Sequence, residues 1–217
     1  KKFGADIKLT NKGLPLTIKG SKSLLPINYL ENKGSAQVKS SIILAGLKTE
    51  GKTFIKAKPS RNHTELLCKH LKLPLRVKKK KKYDLIEVEK VNEIKPLNYK
   101  IPSDISSSAF FIVLTALSNN SKLLIKDVNI NPSRIGIITI LKKMGVNIQF
   151  KNKKNYKGEP IADISITSTQ KLKPINCPPK LNSGAIDEFL IIFLVAAKAS
   201  GVSYFKDIGE LNQKESP

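Results

Sequence analysis

Three segments of the chain place polar side chains where a helix is predicted to begin. They are Gly-Ser-Ala-Gln-Val-Lys-Ser at 34–40, Pro-Ser-Asp-Ile-Ser-Ser-Ser-Ala at 102–109 and Ala-Ile-Asp-Glu-Phe at 185–189. In the first two, hydroxyl groups and free backbone N–H groups would lie at the positive end of a helix dipole, an arrangement that binds phosphate or carboxylate. Because N-capping alone explains any one such segment, the pattern leaves anion binding and capping as alternatives.

A second polar cluster, Ser-Arg-Asn-His-Thr-Glu, occupies residues 60–65 at another predicted helix start. The guanidinium of Arg61 can hold a phosphate or carboxylate through two parallel hydrogen bonds. A capped helix with an exposed arginine is the simpler alternative. His63 is interpreted as a packing or surface residue, since no partner for acid–base chemistry is evident beside it in the sequence.

The elements that must position these residues repeat along the chain. An apolar helix end, a small polar turn and a short strand ending in lysine recur from Leu44, Leu114 and Leu194, at spacings of about 70 and about 80 residues. This period is too long for a short-repeat solenoid and is typical of a repeated α/β unit. Such a repeat can direct several helix N-termini toward one point.

The hydrophobic pattern predicts an α/β (α+β) fold of repeated βαβαββ units, each a mixed sheet with helices on one face. Short strands are expected before residue 35, and residues 97–104 are expected to link two domains. The predicted helices cover 35–48, 62–73, 104–117, 132–144 and 187–199. The later predicted strands are 53–56, two strands around the lysine run 78–82, 122–126, 146–150 and 162–167, with a polar loop at 151–160.

The composition narrows the possible partners. The net charge is +22, but Arg61, Arg76 and Arg134 are the only arginines and there is no Trp, so the sequence offers few groups that read bases or stack on them. We therefore expect no nucleic-acid partner, and a basic nucleic-acid-binding module is kept as the alternative from another class. The longest apolar run is too short to span a membrane. Cys68 and Cys177 indicate reduced thiols in a cytoplasmic protein, and a disulfide between them is the alternative.

The motifs at 34–40, 60–65, 104–111 and 186–188, followed by Glu-Leu-Asn-Gln-Lys-Glu-Ser at 210–216, occur in an order that resembles the EPSP synthases, which are enolpyruvyl transferases. The resemblance covers essentially the whole chain. It implies the two-domain inside-out α/β barrel fold of that family. It also implies transfer of the enolpyruvyl group of phosphoenolpyruvate to the 5-hydroxyl of shikimate 3-phosphate, without a cofactor or a metal. We expect a monomer when the protein is full length.

The resemblance also implies roles for individual residues. Ser35, Gln37 and the backbone of Ala36 would bind shikimate 3-phosphate, and Gln37 would also reach phosphoenolpyruvate. Ser60 and Arg61 would clamp the substrate phosphate. The catalytic group would comprise the base Asp187, together with Lys214 beside the substrate hydroxyl and Glu215 in proton transfer at the methylene carbon.

The same resemblance sets the expected organisation. Residues 1–100 would be the later part of the first-visited domain, and 101–217 about half of the second. The family's early lysine–serine–arginine motif and its later histidine–arginine segment do not occur in the chain, which indicates a fragment without activity of its own. Asn62 stands where the family usually has aspartate, a position with no assigned role. A sister enolpyruvyl transferase acting on a UDP-sugar is the alternative within the same chemistry.

Overall fold

A computed structural model describes residues 1–10, 13–21 and 23–213 of the chain. The chain divides into two compact units, residues 1–98 and 99–217. The α-helices are α1 (Ala36–Gly46), α2 (His63–His70), α3 (Ile105–Leu117), α4 (Gly136–Lys143) and α5 (Phe189–Lys198). The strands are β1 (Asp6–Thr10), β2 (Gly13–Lys19), β3 (Asn28–Glu31), β4 (Thr53–Ala57), β5 (Leu75–Lys79), β6 (Asp84–Val88), β7 (Lys122–Asn129), β8 (Asn147–Tyr156), β9 (Glu159–Thr167), β10 (Asn176–Cys177) and β11 (Tyr204–Phe205).

The first unit contains one complete βαβαββ repeat after the β1–β2 hairpin. Its sheet has the order β3-β4-β6-β5, in which β3 and β4 are parallel and the other pairs antiparallel. Along β4 the side chains of Thr53, Ile55 and Ala57 are buried whereas Phe54 and Lys56 are exposed. This alternation follows from the period of two in a strand and leaves one face of the sheet covered by apolar side chains of α1 and α2.

The second unit repeats this topology. Ser103 forms a parallel bridge with Val128 of β7, α3 connects the two, and β9 pairs antiparallel with both β7 and β8. The strands β10 and β11 are again parallel and joined through α5. The prediction of a repeated α/β unit is therefore confirmed, because each of the three similar segments is a helix leading into a strand parallel to the one before it.

Two expectations for the second unit were wrong. Residues 151–160 were predicted to be a loop, but they continue β8 and β9, which meet in a turn at Lys157 and Gly158, both with positive φ. Two consecutive residues with positive φ form the tight turn that suits an antiparallel hairpin. Helix α4 begins at Gly136 instead of Pro132, because the side chain of Asn131 accepts hydrogen bonds from the N–H and hydroxyl of Ser133 and holds that segment in a turn.

Asp163 in the central strand β9 stabilises irregularities in both neighbouring strands. Its Oδ1 accepts from the N–H of Asp127 at 2.9 Å and its Oδ2 from the side-chain amide of Asn152 at 2.7 Å. Asp127 and Asn152 both have positive φ and lie where the pairing register shifts. The backbone hydrogen bond from Asp127, followed by that from Asn152, lowers the pKa of the Asp163 carboxyl.

Replacing Asp163 with Asn is expected to lower the melting temperature at neutral pH, because an amide lacks the second acceptor oxygen and the charge. A carboxyl with a lowered folded pKa stabilises the fold above its unfolded pKa of about 3.9, and this contribution is lost as the pH falls through the folded value. In thermal melts from pH 7 to pH 3, the difference in melting temperature between Asp163→Asn and the parent should become smaller toward pH 3. Asp207→Asn, at an exposed position in the same unit, is the control, and an equal difference at both pH values would contradict the assignment.

Both cysteines are unpaired and buried. Burial raises the pKa of the Cys68 and Cys177 thiols, and for Cys68 the charge of Glu65 adds to the effect. Within the described ranges no helix combines the length and the apolar character needed to cross a membrane. In the same residues, His, Cys, Asp and Glu side chains form no group of three or more suited to a metal ion.

Candidate functional site

Two helix N-termini lie side by side at one edge of the first unit's sheet. The parallel strands β3 and β4 are aligned so that Glu31 is opposite Ala57, and the N–H of Lys58 donates to the carbonyl of Glu31 at 3.0 Å. Each strand leads directly into a helix, β3 into α1 and β4 into α2. The polar segments at 34–40 and 60–65 therefore meet at the carboxyl ends of adjacent strands, where the positive ends of two helix dipoles converge.

The loop before α1 is held by an internal carboxylate. The two side-chain oxygens of Glu31, a buried residue, accept from the N–H groups of Lys33, Gly34 and Ser35 at 2.9, 2.9 and 3.1 Å. The expectation that the N–H groups in this segment are free for a ligand is therefore wrong for residues 34 and 35. Because their donors are already used by Glu31, these N–H groups shape the loop and are not available to a substrate anion.

The first turn of α1 retains other donors. Ser35 is the N-cap, as predicted, and its Oγ accepts from the N–H of Val38 at 3.3 Å. The N–H groups of Ala36 and Gln37, the first two residues of the helix, have no acceptor within the described part of the chain. Both lie at the positive end of the dipole, so backbone binding of an anion at Ala36 fits this geometry.

The start of α2 contains a buried polar atom without a partner. Among the described residues, none forms a hydrogen bond with Ser60 Oγ, although this atom is buried. Asn62 is the N-cap and makes no side-chain capping hydrogen bond. A buried hydroxyl without a partner is uncommon in native proteins, so Ser60 Oγ is suited to a hydrogen bond with an anionic ligand next to the half-buried Arg61.

An ion pair that sequence reasoning missed joins the first turns of α1 and α2. Lys39 is fully buried, and its Nζ lies 2.7 Å from Oε1 of Glu65, which is also buried. Next to this pair a hydrogen bond of 2.6 Å joins the hydroxyls of Ser40 and Thr64. The sequence contained one signal, since Lys39 interrupts an apolar stripe that continues at Ile42, Ile43 and Gly46.

In the second unit Asp187 is exposed and lies two residues before the start of α5. The N-cap is Glu188, so the expectation that Asp187 itself opens the helix was wrong by one position. Tight packing fixes the segment before it, because a Cβ on Gly136 of α4 would lie 2.6 Å from the carbonyl carbon of Gly184. Only glycine permits this approach, which holds the 3₁₀ helix Pro179–Gly184 against α4.

A polar network connects the residue after Asp187 to two other helix starts. Glu188 is buried and accepts from Ser106 Oγ, and Ser106 Oγ accepts from Nη2 of Arg134 at 2.7 Å. The same Nη2 donates to Oδ1 of Asp104 at 3.0 Å. Arg134 thus forms an ion pair with Asp104 and is connected to Glu188 through the hydroxyl of Ser106. Its role was not predicted, because these residues are far apart in the chain.

At the helix start at 102–109, Asp104 is the N-cap. Oδ2 of Asp104 accepts from the N–H of Ser107 at 2.8 Å, and Ser108 Oγ donates to the carbonyl of Asp104 at 2.7 Å. The side chains of Asp104 and Ser108 are therefore paired within the unit, whereas the N–H groups of Ile105 and Ser106 have no acceptor among the described residues. Lys214 and Glu215, two of the predicted catalytic residues, lie outside the described residues, and the meeting of Asp187 with Ser35, Gln37 and Arg61 stays a prediction.

Comparison with known proteins identifies the family of this chain. The family model described as EPSP synthase (3-phosphoshikimate 1-carboxyvinyltransferase) matches residues 1–217. The chain belongs to the EPSP synthase family. A 3-phosphoshikimate 1-carboxyvinyltransferase of Ruthia magnifica is 43% identical over 216 residues, and that of Legionella pneumophila strain Corby is 40% identical over 215.

The structural likeness covers the same range. A solved EPSP synthase from Acinetobacter baumannii aligns with a TM-score of 0.86 and 39% identity over 99% of this chain. The enolpyruvyl transferase NikO from Streptomyces tendae aligns with a TM-score of 0.66 over 92% of the chain at 16% identity, a likeness that shows the fold alone. The chain spans about half the length of these relatives, 48% of the Ruthia, Legionella and Acinetobacter proteins and 47% of NikO.

Proposed function

We propose that the protein to which this chain belongs transfers the enolpyruvyl group of phosphoenolpyruvate to the 5-hydroxyl of shikimate 3-phosphate and releases inorganic phosphate. The family match supports this reaction. The observation that carries the site assignment is the pair of adjacent helix N-termini at α1 and α2. Between strand β4 and α2 lies the hydroxyl of Ser60, which has no hydrogen-bond partner among the described residues. No cofactor or metal is part of the proposal, and the protein acts in the cytoplasm as a monomer.

In the first unit the proposed role is binding of the shikimate phosphate. Ser35, the N–H of Ala36 and Gln37 approach it from α1, whereas Ser60 and Arg61 approach it from the loop before α2. A bidentate guanidinium and the ends of two helix dipoles are the groups that best compensate a phosphate dianion. The family resemblance implies that Gln37, on the first turn of the same helix, also reaches phosphoenolpyruvate.

The catalytic groups of the proposal belong to the second unit. Asp187 accepts the proton of the 5-hydroxyl while the oxygen adds to C2 of phosphoenolpyruvate, and the methylene carbon takes up a proton with the participation of Glu215. Loss of phosphate from the tetrahedral intermediate, with return of a proton from the methyl group, gives the enol ether product. Lys214 stabilises the ionised form of Asp187 in this scheme, since an opposite charge nearby favours a carboxylate.

The proposed domain organisation follows the same relation. Residues 1–100 form the later part of the first domain and residues 101–217 about half of the second. Both halves of the proposed site must come together for turnover, because orientation of both substrates supplies much of the rate acceleration.

Phosphate release tests the proposal. A polypeptide of the relatives' full length that contains these 217 residues is expected to release phosphate from phosphoenolpyruvate only when shikimate 3-phosphate is present. Replacing shikimate 3-phosphate by UDP-N-acetylglucosamine is the control for the sister chemistry. Turnover of the UDP-sugar, or none with shikimate 3-phosphate by a folded protein, would refute the assignment.

The 217-residue chain by itself is expected to release no phosphate above background. It does not contain the early lysine–serine–arginine motif or the later histidine–arginine segment that the family resemblance assigns to substrate binding. The same assay at equal protein concentration checks this, with circular dichroism as the control for folding. Substrate-dependent turnover by the purified 217-residue chain would show that the two units suffice.

A further inference from the structure

The ion pair of Lys39 and Glu65 is an unusual feature of the first unit because it is fully enclosed. Lys39 has no exposed surface, the Glu65 side chain is 7% exposed, and Nζ lies 2.7 Å from Oε1. Neither Lys39 Nζ nor the second oxygen, Oε2, has a hydrogen-bond partner of acceptable geometry among the described residues, so the contact of Nζ with Oε1 is a close pairing of charges without an aligned hydrogen bond. Each charge therefore depends on the other for compensation, and removing one would leave a buried charge without a partner.

Such a pair adds little to stability by itself. Taking two charges out of water costs several kcal/mol per ion, and well-packed apolar side chains of the same volume often stabilise a fold as well or better. A benefit other than stability would therefore account for a lysine within the apolar stripe of α1. The close contact that two enclosed opposite charges require can set the relative placement of two elements, which apolar contacts define less sharply.

The position of the pair indicates what it places. Lys39 lies four residues after the N-cap Ser35, about one helical turn along α1. Glu65 lies three residues after Asn62, the N-cap of α2, and Arg61 immediately precedes that cap. Together with the hydrogen bond between Ser40 and Thr64, the pair connects the first turn of α1 to the first turn of α2.

We infer that Lys39 and Glu65 are positioning residues that hold the N-termini of α1 and α2 at the separation required to bind one phosphate group of shikimate 3-phosphate. This inference rests on the proposed function. Neither side chain contacts the substrate, because both are enclosed. Their effect reaches the ligand through the first turns of the two helices, and so through the backbone of Ala36 and the side chains of Gln37 and Arg61.

The decisive variant replaces both partners, Lys39→Met with Glu65→Leu, in the full-length protein. Because no buried charge remains, its melting temperature is expected to stay close to that of the parent. Its dissociation constant for shikimate 3-phosphate, measured by calorimetry without phosphoenolpyruvate, is expected to rise about tenfold, since small displacements of binding groups have large effects. The charge-reversed variant Lys39→Glu with Glu65→Lys restores the pair and is expected to recover part of the affinity.

The control is Lys52→Met with Glu87→Gln, which removes an ion pair of similar length, 2.6 Å, whose lysine is 50% exposed. This variant should bind shikimate 3-phosphate like the parent.

Affinity within twofold of the parent in the Lys39→Met, Glu65→Leu protein would overturn the positioning role while leaving the proposed function intact. Failure of the parent itself to bind shikimate 3-phosphate would overturn both. If the apolar variant does not fold, the charge-reversed variant is compared with Glu65→Gln, which breaks the pair. An equal loss of affinity in these two proteins would contradict positioning by the pair.

Discussion

Replacing Asp187 with Asn in the full-length protein is expected to lower kcat by roughly 10²–10⁴-fold, the range typical for loss of a general base. The amide has nearly the same shape but cannot accept the hydroxyl proton. Because the carboxylate is proposed to act in the transition state, KM for shikimate 3-phosphate should change little. Steady-state phosphate release with each substrate varied in turn provides the measurement.

The alternative for Asp187 is a purely structural role near the start of α5. An amide would serve that role equally well, since Asn and Asp are comparable at helix N-termini. Asp207→Asn, at an exposed position of the same unit, is the matched control and should leave kcat unchanged. Turnover of Asp187→Asn close to that of this control would remove Asp187 from the mechanism.

Replacing Arg61 with Gln is expected to reduce kcat/KM for shikimate 3-phosphate by about 10- to 150-fold. Hydrogen bonds to a charged group contribute about 1.5–3 kcal/mol, and 1.4 kcal/mol corresponds to a factor of ten. Most of the loss should fall on KM, because the phosphate is bound in the same way in the ground state and the transition state. Kinetics with saturating phosphoenolpyruvate measure the effect.

Two further variants make the Arg61 experiment specific. Arg61→Lys keeps the charge but not the two parallel donors, so its kcat/KM should be intermediate. Arg76→Gln removes an arginine from an exposed position of β5 and should behave like the parent. An equal loss for Arg61→Gln and Arg76→Gln would indicate that net charge, and not a phosphate contact, is responsible.

The local elements followed closely from local signals in the sequence. Ser35 is the N-cap of α1 and Asp104 that of α3, because their short side chains reach an N–H three residues ahead. The lysine run at 78–82 lies at the end of the β5–β6 hairpin, as the alternating pattern on either side indicated. The repeat of helix and strand was visible in the sequence because the same pattern of an apolar helix end, a small polar turn and a short strand occurs three times.

The motifs that revealed the family were also visible in the sequence, since each contains several polar residues in fixed order. The sequence did not distinguish whether each motif caps its helix or binds an anion. The segments at 34–40 and 102–109 are both rich in small polar residues, yet the N-cap of α3 is the carboxylate of Asp104, whose charge opposes an anion, whereas the N-cap of α1 is the neutral Ser35. The carboxylate of Glu31 accepts from the N–H groups of Gly34 and Ser35, which precede α1, and not from those of Ala36 and Gln37.

Only the tertiary structure decided which distant charges meet. The sequence by itself determined a repeated βαβαββ chain with polar helix starts, because propensity, capping and hydrophobic period act over a few residues. The ion pair of Lys39 with Glu65 and the contact of Arg134 with Asp104 join residues on separate helices or loops. Such pairs form when strand order brings two helix starts to one edge of a sheet, and packing, not local sequence, sets the distance between them.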